Sequence, residues 1–318
     1  KNNEYTLMEW NFGLFFGLAV QMYESTLVSD DAKIDRHFDR LAQGQPGLLS
    51  AAELAGMDLF KKSACKDCHS GPEFNGASVR SIKTGFENPE QNPTFQPPAQ
   101  IERMVISTCD VAMYDQGFYN LGVRPTAEDL GLGGADPFGN PLSIAKLLTM
   151  DPGSVPSQEL LSIPYPSLMS LGQVPPIERG ERTAVEGAFK MPSLRNVGLT
   201  APYFHNGGAL TLRQVVEFYN RGGDFHDANS RFIALGIGKL NLTEAEIDKL
   251  VGFLHTLTDE RVVKESAPFD HPELFVPNGH DGTTSSVAQS GGEAVTSLVR
   301  IQQVGANGGG PTLKGFLD

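Results

Sequence analysis

The sequence predicts a mainly α fold with long ordered loops. Two observations predict it. Apolar residues recur at helical spacing behind clear start signals at Ser50, Thr211 and Thr243. Between those segments the chain is rich in turn formers, with 35 glycines and 21 prolines in 318 residues.

A third feature narrows the class. Cys65-Lys66-Asp67-Cys68-His69 places two thiols three positions apart and an imidazole directly after them. That spacing suits covalent attachment of a c-type haem, with the cysteines adding to the two vinyl groups and the histidine delivered to the iron as proximal ligand. Zinc would need a second Cys/His pair at ligand spacing, and a thioredoxin-like motif a βαβ setting; the sequence offers neither. The fold expected is therefore a cytochrome c-like haem domain. Cys109, the third cysteine, reads as a small buried hydrophobe.

In chain order, Met8 to Leu27 is apolar nearly all round, with Phe12, Phe15, Phe16, Leu18, Val20, Met22 and Tyr23, as buried helices are. Such a helix is expected to pack on another domain or another chain. Trp10, the only tryptophan, is expected in its packing, with a place between redox centres as the alternative. Asn11, Gln21 and Glu24 interrupt the segment, so it does not read as a membrane span. Ser29-Asp30-Asp31 and the Gln43 to Gly47 stretch read as linker. Ser50 and Glu53 form a capping box for a helix with Leu54, Met57 and Phe60 on one stripe, leading into the twin-cysteine motif. Gly71-Pro72 then turns the backbone.

Arg80 to Pro98 reads as a surface loop, residues 110–142 as ordered loop, and Ser143 to Met150 as a short helix within an otherwise irregular stretch to 180. Thr211 with Gln214 caps a helix carrying Leu212, Val215, Val216 and Tyr219 on one face, stopped by Gly222 and Gly223. Thr243 with Glu246 caps a last helix with Ile247, Leu250, Val251 and Leu254 inward. Beyond Asp259 periodicity fades into Gly, Ser, Thr and Asn. The expected division is residues 1–47 as helix and linker, 48–262 as the haem domain, and 263–318 as an extended Gly/Ser-rich tail.

The net charge of −13 argues against a nucleic-acid partner. An acidic surface of this kind could steer a basic redox partner. Lys1 is not an initiating residue, which predicts a chain cut or processed. Covalent haem c implies maturation outside the bacterial cytoplasm, hence a periplasmic or otherwise exported protein.

The strings LVSDDAKIDRHF, LFKKSACKDCHSGPEF, FYNLGVRP, FKMPSLRNVGLTAPYFHNGGALTLRQVVEFYNRGG and LTEAEIDKLVGFLHTLTD resemble the bacterial di-haem cytochrome c peroxidase family, including the MauG-type enzymes, and cover most of residues 20–260. LRNVGLTAPYFHNG is the most specific of them. The resemblance is to the C-terminal haem domain. It implies one haem c held by Cys65, Cys68 and His69, and a second haem in an N-terminal domain absent from this chain.

The family's sixth ligand is a methionine where this chain has Tyr219, fourteen residues after His205. A tyrosine there resembles the MauG branch, in which the phenolate ligates iron. Met191 and His205 are the competing donors, and a core tyrosine bonded to a carbonyl is the structural alternative. The resemblance further implies calcium at the backbone of Thr200 and Pro202, and a haem propionate at Arg195, for which a structural salt bridge is the alternative.

The function implied is the electron-transfer half of a di-haem peroxidase-like oxidoreductase, with an N-terminal haem domain or partner chain and a small redox protein as electron donor. With both iron faces occupied, no catalytic acid or base is singled out. The alternatives are a MauG-like enzyme oxidising a protein substrate, an electron-carrier cytochrome c, and a haem-bearing structural subunit.

Overall fold

The structure, a computed structural model, describes residues 6–63, 65–76, 101–153, 161–162, 177–283, 285–309 and 312–313, without the side chains of Trp10, Leu161 and Ser162. The loop expected over Arg80 to Pro98 and the packing of Trp10 lie outside the described residues. The principal helices are α1 (Phe12–Glu24), α2 (Lys33–Ala42), α3 (Ala51–Lys62), α4 (Cys65–Cys68), α5 (Ile144–Met150), α6 (Leu212–Arg221) and α7 (Glu244–His255). The principal strands are β1 (Ile101–Val105), β2 (Val111–Asp115), β3 (Phe118–Tyr119), β4 (Leu161–Ser162), β5 (Phe189–Lys190), β6 (Leu274–His280) and β7 (Thr296–Ile301).

The mainly α expectation does not hold. Among the described residues, helix accounts for 32% and strand for 20%, the strands forming several small sheets. Much of the difference lies in residues 101–119. β1 and β2 pair antiparallel in the register Ile101 with Asp115 through Val105 with Val111, and β4 adds to β1 in parallel. Ile, Val, Tyr and Phe in this stretch suit a pleated surface. Glu102 and Arg103 hide the strand pattern, because both are buried and satisfied by distant partners. Glu102 accepts from the Tyr114 hydroxyl, and Arg103 makes a forked pair with Glu181. Residues 110–142 therefore contain strand as well as loop.

The chain forms two compact units. In the first, residues 1–48 with 258–316, the linker is tied down by Asp259. Its buried carboxylate accepts from the Asp31 amide (3.2 Å), the Ser29 hydroxyl (3.3 Å) and the Arg261 guanidinium (2.6 Å). His37 is also buried, and its Nδ1 accepts from the Leu48 amide at 2.8 Å. α1, expected to be buried, has no buried residue: Phe12, Phe16 and Met22 are among its exposed side chains. β6 and β7 pair antiparallel, and the β-branched Val276, Thr296, Val299 and Ile301 explain why this part of the tail is extended strand.

The second unit, residues 49–257, holds the site. α3 and α7 pack closely because Gly56 carries no side chain: a methyl there would strike the Lys249 carbonyl. Phe60 of α3 and Phe253 of α7 meet at 5.3 Å between ring centroids, and Phe74 completes the cluster at 6.1 and 6.4 Å. A second core brings Ile101 and Met113 of the hairpin against Leu148 of α5 and Val185. Cys109, expected to be buried, is instead exposed in the β1–β2 turn at φ 63°, where its amide bonds the Ile106 carbonyl at 2.8 Å.

Candidate functional site

α3 begins where Ser50 and Glu53 bond each other's backbone amides, at 3.2 and 2.7 Å, and it ends at Ser63. The chain then makes the single turn α4, and the His69 amide closes it on the Cys65 carbonyl at 2.9 Å. Cys65, Cys68 and His69 thus reach the same apolar cavity, of about 490 Å³. That volume is within the roughly 300–1,000 Å³ of cofactor sites.

The backbone turn after His69 sets the ring. Phe74 adopts φ 50°, and its carbonyl lies 3.1 Å from His69 Nδ1. A proton held there puts the lone pair on Nε2, the form a metal-binding imidazole takes. Burial lowers the His69 pKa, against the pull of the Phe74 and Pro192 carbonyls, and so favours the neutral ring. Phe74 is itself seated against Phe60 and Phe253, so the aromatic cluster supports the imidazole through one backbone carbonyl.

Both thiols are free, and burial, together with the Asp67 carboxylate, pushes each up to about 11. No group of three or more His, Cys, Asp or Glu side chains positioned for a metal ion occurs among the described residues.

Leu212, Val215, Val216 and Tyr219 of α6 all line the cavity. Tyr219 has no hydrogen-bond partner for its hydroxyl among the described residues, and its ring meets Phe218 edge-on. Burial, reinforced by the neighbouring Cys68 and Cys65, raises its pKa, so the phenolate would form only beside a compensating cation. Met191, Thr200, Pro202 and His205 line the same cavity. The His205 ring is stacked on Phe189 at 3.5 Å, and its Nε2 lies 2.8 Å from the Asp129 carboxylate.

Arg195 is not among the lining residues; it donates to the Pro72 carbonyl at 2.8 Å and lies over the Phe74 ring. Sequence reasoning did not single out Asp129, Phe189 or Tyr119, which also line the cavity. Tyr119 and Phe189 lie in strings noted for the family resemblance, but neither was given a role, and Asp129 stood in a stretch read as ordered loop.

Two thiols and a neutral imidazole at an apolar cavity, with phenol and thioether donors also on its lining, fit a c-type haem. This is the class of site the geometry defines. The chain is 26% identical over 258 residues to the cytochrome-c peroxidase IdrP1 of Pseudomonas sp. (strain SCT), covering 80% of this chain and 51% of that protein. It is 27% identical over 243 residues to the cytochrome c551 peroxidase of Nitrosomonas europaea, covering 76% and 44%. The methylamine utilization protein MauG of Paracoccus denitrificans is 38% identical over 98 residues, covering 26% of this chain and 25% of that one. The solved structure of a MauG-like protein associated with microbial copper homeostasis is 23% identical, with 76% and 55% covered and a TM-score of 0.42. No family model matches the chain. These similarities support the resemblance to the bacterial di-haem cytochrome c peroxidase and MauG family. The chain spans about half the length of the curated relatives it matches.

Proposed function

We propose that this chain carries one haem c, joined through thioethers to Cys65 and Cys68 with His69 as proximal ligand, and works as the electron-transfer half of a di-haem peroxidase-like oxidoreductase. The observation that carries the proposal is the twin-thiol turn delivering an oriented imidazole into a largely apolar cavity. When bound, the haem supplies one-electron redox chemistry.

The polypeptide's part is to hold that chemistry in place. The thiols anchor, and the Phe74 carbonyl orients His69. The apolar face of α6 excludes water, which sharpens every electrostatic interaction inside. Tyr219 is the proposed second axial ligand because its hydroxyl is otherwise unsatisfied at the cavity wall. An anionic oxygen donor would favour the ferric state and lower the potential relative to Met191. His205, engaged by Asp129, serves as a hydrogen-bonding residue at the cavity. The backbone carbonyls of Thr200 and Pro202 are the proposed calcium ligands, completed by groups outside this chain or by water.

The name of the Nitrosomonas relative supports a small cytochrome as electron donor. The attachment chemistry supports export to the periplasm. No helix among the described residues is long and apolar enough to cross a membrane. A MauG-like oxidation of a protein substrate is the second reading, favoured by Tyr219 at the cavity.

The test is the ferric absorption and EPR spectrum of the matured protein beside Tyr219→Phe. Tyrosinate ligation predicts a spectrum that this substitution changes. The near-infrared band of a sulfur-ligated iron, unchanged by Tyr219→Phe, would assign the site to Met191 instead.

A further inference from the structure

The turn that orients His69 is itself braced from a distant part of the chain, by a segment the haem assignment leaves without a role. Gly71 to Phe74 forms this turn, closed by the Phe74 amide on the Gly71 carbonyl at 3.1 Å. It ends with Phe74 in the left-handed region at φ 50°. A residue with a side chain is disfavoured there and persists only where its surroundings fix it. Two side chains from the stretch after β5 supply such fixings. The Ser193 hydroxyl donates to the Glu73 carbonyl at 2.5 Å, and Arg195 Nε donates to the Pro72 carbonyl at 2.8 Å. The Arg195 guanidinium also lies 5.5 Å from the centre of the Phe74 ring. Pro72, Glu73 and Phe74 are thus each held by Ser193 or Arg195. The Ser193 hydroxyl accepts from the Arg195 amide at 3.1 Å, so the two side chains form one clasp.

The clasp has fixed ends. The Met191 amide bonds the Gly117 carbonyl at 2.8 Å, and the Asn196 amide bonds the Leu257 carbonyl, just beyond α7, at 2.9 Å. Met191 and Leu257 are both buried. With the peptide groups of Pro72 and Glu73 held, the next carbonyl, that of Phe74, stays 3.1 Å from His69 Nδ1. A hydrogen bond accepted from Nδ1–H makes the imidazole a stronger donor at Nε2. A stronger axial donor favours the ferric state and lowers the reduction potential.

We propose that Ser193 and Arg195 are positioning residues for the proximal histidine: by clasping the 72–74 turn they hold the Phe74 carbonyl on His69 Nδ1, and so keep the haem potential below that given by a loosely held imidazole. This rests on the haem assignment made above. It gives Arg195 a part different from the propionate contact that the resemblance implied. The two parts differ in what a charge-preserving change would do.

The test measures the reduction potential of the haem-loaded chain by spectroelectrochemical titration. Haem content is read first: its absence overturns the haem assignment, whereas the remaining outcomes, read on fully loaded protein, bear on the clasp alone. Ser193→Ala removes one hydroxyl and no charge, and should raise the potential. Ser193→Thr keeps the hydroxyl and should match the parent. Arg195→Lys keeps the charge but loses the planar group over Phe74 and the Nε–H on Pro72, and should raise the potential as well. An arginine acting on a propionate through its charge would instead leave the Arg195→Lys potential at the parent value. Melting temperatures establish that each variant is folded. An unchanged or lowered potential in folded, loaded Ser193→Ala or Arg195→Lys would overturn the clasp. A Ser193→Thr protein with the potential of Ser193→Ala would do the same.

Discussion

Replacing Phe253 by alanine tests how the fold holds the proximal histidine. Phe253 is 1% exposed and packs against Phe60 and Phe74 at 5.3 and 6.4 Å. Removing a buried phenyl ring costs about 3–5 kcal/mol, and each lost ring pair accounts for about 0.5–1.5 kcal/mol of interaction beyond area. For a unit of this size each kcal/mol lowers the melting temperature by about 2–4 °C, so a fall of about 6–20 °C is expected. The same substitution removes one of the two rings that seat Phe74, whose carbonyl faces His69 Nδ1. The haem absorption bands should therefore broaden or shift even where the variant remains folded. Scanning calorimetry and visible absorption of the haem-loaded protein read both effects. A loss below about 1 kcal/mol with an unchanged spectrum would refute the argument that this cluster supports the imidazole.

Two further substitutions probe the two units separately. Gly56→Ala forces a methyl against the Lys249 carbonyl and within 2.9 Å of Phe253 Cβ, so overpacking should cost about 1–3 kcal/mol, read as a lower urea midpoint. Asp259→Asn tests the buried carboxylate of the first unit. Its burial raises the pKa, but bonds from Arg261 and Asp31 outweigh it, and the net shift is downward from 3.8. A depressed folded pKa contributes stability present above 3.8 and lost as pH falls through the lower folded value. Because Arg261 is partly exposed and keeps its pair with Asp30, losing the Asp259 charge should cost about 1.5–3 kcal/mol at pH 7. The difference from the parent protein should shrink in denaturant titrations run below 3.8.

The parts of the molecule written locally were legible in the sequence. Ser50 with Glu53, Thr211 with Gln214 and Thr243 with Glu246 all make the capping contacts their spacing implies. The apolar face of α6 reads straight onto the cavity wall, Tyr219 included. What escaped was written non-locally. β1 carries adjacent charges, Glu102 and Arg103, that look like solvent-facing residues until Tyr114 and Glu181 come to meet them from elsewhere in the chain. Asp129 reaches His205 across 76 positions, a pairing with no sequence period to announce it. β6 and β7 went unseen because they lie in a Gly- and Ser-rich stretch, and their alternation has no buried face to follow. The exposure of α1 is the reverse case: a composition typical of buried helices on an element with no buried residue.

The central claim is tested most directly by the intact mass of the chain after export in a host that matures c-type cytochromes. The account predicts the polypeptide plus one haem, with the added mass on the peptide bearing Cys65 and Cys68 and gone when both are changed to alanine. An unmodified, colourless chain produced under conditions that mature a control cytochrome would contradict it.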